Sequence, residues 1–110
     1  MENVNHPQHY EGSCSIECID AMEMSFGLEA TLKFAMINAY KYMWRYKQKN
    51  GKEDLEKADW YLTYWLKNYY EWYDSELPVG LDDYEKILPM KAFVLERLTE
   101  YEKKEKEIEF

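Results

Sequence analysis

Apolar side chains recur every three or four residues along two long segments of the chain. The periodic positions are Leu28, Leu32, Ala35, Ala39, Tyr42 and Tyr46 in the first segment, and Leu55, Ala58, Leu62, Trp65, Tyr69 and Trp72 in the second. This spacing gives each segment one apolar stripe of an α-helix. Asn50-Gly51 separates the segments and is typical of a helix end. The pattern therefore predicts an antiparallel helical hairpin over residues 28–74.

Weaker signals predict one shorter helix on each side of the hairpin. Ser15 can cap a first helix, and Gly27 can take the left-handed conformation that ends it. Pro89 suits the first turn of a last helix. Phe93, Leu95, Leu98 and Tyr101 then give that helix a packing side. About four helices are expected, and the fold class is all-α.

The length of 110 residues fits one domain, with one core. Residues 1–14 read as an irregular N-terminal arm, because Pro7 and Gly12 disfavour a helix there. Residues 81–110 should form the C-terminal helix and a charged, solvated tail. We therefore predict a single helical domain over the whole chain.

The second hairpin helix carries several aromatic residues outside its periodic apolar positions. They are Trp60, Tyr61, Tyr64, Tyr70 and Tyr73. A solvated helix face rarely shows so much aromatic surface. Self-association into a homo-oligomer is one explanation, and stacking against a nucleobase in a ligand pocket is another.

Charge divides the chain into a basic and an acidic region, although the net formal charge is −8. Residues 30–52 hold Lys or Arg at six positions and no acid, whereas residues 68–85 hold six acids and no base. The overall acidity opposes binding to duplex nucleic acid. The basic region could be an anion site, or the two regions could neutralise each other between subunits.

The beginning of the chain lacks the basic and apolar runs of a signal peptide, and no segment is apolar enough to span a membrane. A cytoplasmic location is therefore expected. His6, His9, Cys14 and Cys18 lie close together in sequence, but their spacing matches no zinc-finger pattern. No metal ligand is assigned to them.

Four polar residues should follow one side of the first hairpin helix. Asn38, Lys41, Tyr42 and Arg45 are separated by helical spacings of three and four residues. Arg suits bidentate phosphate contacts and Lys supplies compact charge. The side could hold a phosphorylated ligand, or it could be an ordinary solvated helix face.

Four ordered motifs favour the ligand-binding interpretation of this polar side. They are His6-Pro7-x-His9-Tyr10, Ile16-Glu17-Cys18-Ile19-Asp20, Asn38-Ala39-x-Lys41-Tyr42-x-Trp44-Arg45 and Glu53-Asp54-Leu55-x-Lys57-Ala58-x-x-Tyr61-Leu62. Over residues 3 to about 66 the chain resembles a tailed-phage family catalogued as nucleotide kinase-like and also as a phage domain of unknown function. The resemblance implies a phage or prophage protein with a small helical core that acts on nucleotides.

The resemblance also implies site residues at the matching positions. In a nucleoside monophosphate kinase, Lys41 and Arg45 would neutralise phosphoryl charge, while His9 or Asp54 would accept the proton of the attacking hydroxyl. The expected ligand contacts are His6, Tyr10, Asn38, Tyr42, Lys57 and Tyr61. The chain has no Gly-x-x-x-x-Gly-Lys-Ser/Thr loop, so such a kinase would rely on side-chain cations.

Two further functions compete with the kinase. A non-enzymatic anti-defence protein would use the same residues to sequester a host nucleotide signal, or would bind a host defence protein. A nucleotide pyrophosphatase would hold magnesium, the one cofactor considered, between carboxylates one helical turn apart. Glu17 with Asp20 and Glu71 with Asp74 have that spacing, but a third acidic cluster is lacking.

Overall fold

The computed structural model describes residues 17–71 and 81–108, and both ranges are helical. Helix α1 is Cys18–Arg45, α2 is Lys52–Glu71 and α3 is Leu81–Ile108. No strand occurs in these two ranges, which confirms the all-α prediction. None of the three helices is long and apolar enough to cross a bilayer.

The described residues form three helices rather than the expected four, because the first two predicted helices are one element. Gly27 interrupts α1 with φ 88° and ψ 164°, a backbone conformation that is essentially restricted to glycine. The Thr31 hydroxyl donates to the Gly27 carbonyl oxygen at 2.8 Å, which supports the restart of the helix. Gly27 takes a positive φ, but its ψ is extended rather than left-handed as predicted, and the helix resumes directly after this kink.

Helices α1 and α2 form the predicted antiparallel hairpin. Arg45 meets Asp54 beside the connecting turn, whereas Tyr64 donates to Glu23 near the other end of the pair. The buried contact residues are Leu32, Ala35 and Ala39 from α1, with Leu55, Ala58 and Leu62 from α2. The periodic apolar positions of the sequence therefore face each other in the core.

Helix α3 covers the hairpin and begins before the proline that was predicted to start it. Ile87 and Val94 are completely buried in the shared core. Pro89 lies inside the helix, so its predicted place in the first turn was wrong. Asp83 in the first turn forms an ion pair with Lys33 of α1. This pair and the buried apolar side chains offset the backbone hydrogen bond that proline removes.

Part of the additional aromatic surface of α2 is covered within the chain. Tyr61 is buried, and Trp60 and Tyr64 are partly buried, with parallel rings 6.0 Å apart. Tyr70 remains exposed, and Tyr73 lies outside the described residues. The surplus aromatics of α2 therefore do not themselves require self-association, and the homo-oligomer stays a prediction.

The hairpin turn depends on Gly51. Its φ is 56°, and an added Cβ would lie 3.2 Å from the Tyr101 hydroxyl oxygen. Gly51→Ala should lower the free energy of unfolding by about 1–2 kcal/mol, because a side chain is strained in the left-handed region. Urea denaturation measures the loss. Gln48→Ala, at an exposed position of the same turn, is the control and should leave the transition unchanged. Equal stability of both variants would contradict this role of Gly51.

Candidate functional site: cations around Tyr42

Three cationic side chains from two helices converge on the ring of Tyr42. The Lys41 ammonium lies 5.1 Å from the ring centroid, the Arg45 guanidinium carbon 4.8 Å, and the Lys57 ammonium 5.7 Å. Lys41, Arg45 and Lys57 are called the cationic cluster below. The ring is buried, and its negative π-face helps to stabilise the neighbouring positive charges.

Helical geometry explains this convergence. Lys41 and Arg45 lie one turn apart on α1, on either side of the Tyr42 position. Lys57 comes from the facing part of α2, where the hairpin brings the start of α2 beside the end of α1. The turn therefore places two segments of the chain at one site.

Arg45 has hydrogen-bonding capacity that the described residues do not use. Its Nη2 lies 3.4 Å from Asp54 Oδ1, which is a long contact. Its Nε is buried without a hydrogen-bond partner among the residues that the structure describes. A guanidinium carries five N–H donors, so Arg45 can still donate to oxygens of a ligand.

Asp54 is completely buried and holds the turn and Arg45 together. The Asn50 backbone N–H donates to its Oδ2 at 3.2 Å, while Arg45 approaches Oδ1. The carboxylate also lies in the first turn of α2, where the helix dipole favours negative charge. These contacts make Asp54 a positioning residue for Arg45, and its role as a proton acceptor stays a prediction.

The remaining charges leave the cluster positive. Lys57 pairs with Glu53 at 3.2 Å, and the Glu53 side chain is 46% exposed. Lys41 is exposed and makes no ion pair in the described ranges. Three cations thus face two carboxylates, so one positive charge is left in a chain whose total is −8.

An aromatic group adjoins the cationic cluster. The Tyr42 ring lies parallel to that of Tyr61 at 6.2 Å, and Phe34 meets Tyr61 edge-on at 5.8 Å. Phe34 is partly exposed at the edge of this group. Asn38 is buried one helical turn before Tyr42. The site therefore combines positive charge, an aromatic edge and an amide.

The structure brings together seven of the ten predicted site residues. They are Asn38, Lys41, Tyr42, Arg45, Asp54, Lys57 and Tyr61. His6, His9 and Tyr10 lie outside the described residues. Sequence reasoning missed Phe34, although its spacing of four residues before Asn38 places it on the same side of the helix.

The described residues contain no group of three potential metal ligands. Glu17, Asp20 and Glu71 are described, whereas Asp74 lies outside those ranges. The Cys18 thiol is free and half-buried, and the other candidate zinc ligands also fall outside. The predicted magnesium and zinc alternatives therefore gain no support from the described helices.

A cleft with a volume of about 760 Å³ lies between α2 and α3, and no residue of the cationic cluster lines it. Trp60 and Tyr64 line it with parallel rings 6.0 Å apart. Tyr64, predicted to line the ligand pocket, faces this cleft, and Trp60 lies between it and Tyr61. Glu56 also lines the cleft, and one of its carboxylate oxygens is buried without a hydrogen-bond partner in the described part.

Burial raises the pKa of Glu56 above its usual value of 4.5, despite the opposing charge of Lys52. A raised folded-state pKa contributes stability below the unfolded pKa, and this contribution is lost as the pH rises through the folded pKa. Glu56→Gln should therefore raise the melting temperature at neutral pH, and the gain should disappear below about pH 4.5.

Melting curves at pH 4 and pH 7 test this expectation. Glu102→Gln removes an exposed carboxylate from the same cleft and serves as the control. A lower melting temperature of Glu56→Gln than of the wild type at pH 7 would show that the charged form is stabilised in the folded protein.

A family model described as protein of unknown function (DUF3310) matches residues 4–63. The match includes all of α1, the turn, the cationic cluster and the first part of α2, but none of α3. No curated protein and no solved structure matches the chain. Because the model covers more than half of the sequence, the chain belongs to this family, whose description records no activity.

Proposed function

We propose that this member of the DUF3310 family binds a nucleotide and holds its phosphates at the cationic cluster. The convergence of three cations from two helices on Tyr42 carries the proposal. Such a concentration of positive charge in an acidic chain favours a compact anion. The Arg45 side chain is 33% exposed and its contact with Asp54 is long, so its exposed N–H groups can donate to a phosphate oxygen.

The surroundings of the cluster fit the rest of a nucleotide. Phe34 lies beside Tyr61 with part of its ring exposed, and a base can pack against this exposed part. Asn38 offers both a donor and an acceptor for a sugar hydroxyl or a base edge. Glu53 is exposed enough to release Lys57 when a phosphate competes for the ammonium.

The geometry disfavours one of the two predicted general bases of a kinase, Asp54, whereas His9 lies outside the described residues. A kinase needs a general base within reach of the attacking hydroxyl. Asp54 is buried and engaged by Asn50 and Arg45, which leaves it poorly placed for that role. Sequestration of a nucleotide signal, the non-enzymatic anti-defence function, requires no base. A nucleoside monophosphate kinase without a phosphate loop remains the second candidate.

A thermal-shift panel of mono-, di-, tri- and cyclic nucleotides, with and without magnesium, tests the proposal. A ligand present at about 100 times its Kd should add about 2.7 kcal/mol to the stability of the folded chain. Chromatography of each stabilising ligand after incubation then separates the candidates. Intact ligand supports sequestration, whereas a phosphorylated product would establish the kinase. No shift with any nucleotide would overturn the proposal and leave a protein partner.

A further inference from the structure

The outward side of α1 carries large apolar residues that no described helix covers. Ile37 is 65% exposed, Tyr40 56% and Trp44 76%. Their spacings of three and four residues place them on one face, and the Tyr40 and Trp44 rings lie 6.3 Å apart. These three residues are called the outer stripe below.

The outer stripe is large enough to be the centre of an interface. Its three side chains expose roughly 400 Å² of mostly apolar surface, since a large aromatic side chain buries 150–250 Å². A standard interface buries about 800 Å² on each partner. The stripe would supply about half of that area, and flanking side chains would supply the rest.

The charges along α1 indicate what can cover this face. The described acids of the helix all precede residue 30, and they are Asp20, Glu23 and Glu29. The bases all follow it, and they are Lys33, Lys41 and Arg45. Glu23, Lys33 and Arg45 already contact Tyr64, Asp83 and Asp54 of the other two helices. Glu29 before the stripe and Lys47 after it are exposed. A second copy of α1, packed in the antiparallel direction, would place the basic end of one copy near Glu29 of the other. A parallel copy would place like charges together.

One pair of residues fixes the alignment of such a dimer. Glu29 and Lys47 are separated by five helical turns, so they flank the same edge of the stripe. A helical hydrogen bond continues past the end of α1, because the Lys49 N–H donates to the Arg45 carbonyl oxygen at 3.1 Å. A twofold axis near residue 38 would set Glu29 of each subunit opposite Lys47 of the other.

We propose that the chain forms an antiparallel homodimer through the outer stripe of α1, with Glu29 and Lys47 pairing twice across the twofold axis. Ile37, Tyr40 and Trp44 form its apolar centre. The interface does not depend on nucleotide binding, although Lys41 lies within one helical turn of the stripe. Each cationic cluster therefore borders the interface.

Sedimentation equilibrium of the full chain tests whether the outer stripe forms the dimer interface. The wild type should be a dimer, and the double variant Ile37→Glu with Trp44→Glu should be a monomer with unchanged helical circular dichroism. Leu88→Glu changes another exposed apolar residue, on α3, and should leave the dimer intact. A monomeric wild type, or a dimer that survives the double variant, would overturn the proposal.

Charge exchange tests the orientation. Glu29→Lys and Lys47→Glu should each weaken the dimer roughly tenfold, because each places two like-charge pairs in the interface. The combined variant exchanges the two charges and should recover most of the lost affinity. Failure of the combined variant to recover would exclude the antiparallel alignment, whatever the effect of the stripe variants.

Discussion

Trp65→Ala should lower the free energy of unfolding by about 3–5 kcal/mol, the usual cost of truncating a buried aromatic residue to alanine. Trp65 is completely buried, and its ring lies against Tyr69 at 5.4 Å and Tyr84 at 6.5 Å. The substitution removes the side chain that joins the hairpin to α3. Urea denaturation should show an earlier midpoint with an unchanged slope.

Leu88→Ala is the control for Trp65→Ala, because Leu88 lies on α3 but is 42% exposed. Its effect should stay within about 0.5 kcal/mol, as for most surface substitutions. If Trp65→Ala cost less than about 1 kcal/mol, the packing of α3 on the hairpin described above would be wrong.

Arg45→Ala should weaken nucleotide binding by about tenfold to a hundredfold. A hydrogen bond to a charged group contributes about 1.5–3 kcal/mol, and every 1.4 kcal/mol changes the Kd about tenfold. The Arg45 guanidinium is 33% exposed and makes one long contact, at 3.4 Å to Asp54, which leaves N–H groups for the ligand. Isothermal titration of the ligand identified by the nucleotide panel measures the change.

Two variants separate this effect from unfolding and from a general loss of charge. Lys49→Ala removes one exposed cation near the turn without touching the cluster, and it should bind normally. Lys41→Ala removes an exposed cluster cation and should weaken binding while the protein stays folded. Equal affinities of Arg45→Ala and Lys49→Ala would show that the phosphates bind elsewhere.

The hairpin could be predicted from the sequence because its apolar positions repeat regularly and Asn50-Gly51 marks the turn. The helix count and the place of Pro89 within α3 could not be predicted. Gly27 breaks the helical geometry, as its local stop signal indicates, yet the chain resumes the helix immediately after it. Pro89 resembles a helix start, but burial of Ile87 and Val94 supports helix on both sides of it. Tertiary packing decided the case of Pro89.

The α1 part of the candidate site was also predictable, because helical spacing alone aligns Asn38, Tyr42 and Arg45. The position of Asp54 was not, since its burial and its contact with Arg45 depend on how the hairpin closes. Spacing likewise gave no sign of the cleft beside Glu56, which needs α3 for its second wall. Contacts between helices are not encoded in the periodicity of either helix.

The most direct test of the nucleotide site is equilibrium dialysis of the wild type against each labelled nucleotide, with Arg45→Ala measured in parallel. The site predicts that at least one nucleotide is retained by the wild type at a ratio of about one per chain, since each chain carries one cluster. The chamber that contains Arg45→Ala should retain no excess of the same nucleotide at that concentration. Retention by neither protein, or equal retention by both, would contradict a phosphate site at the cationic cluster.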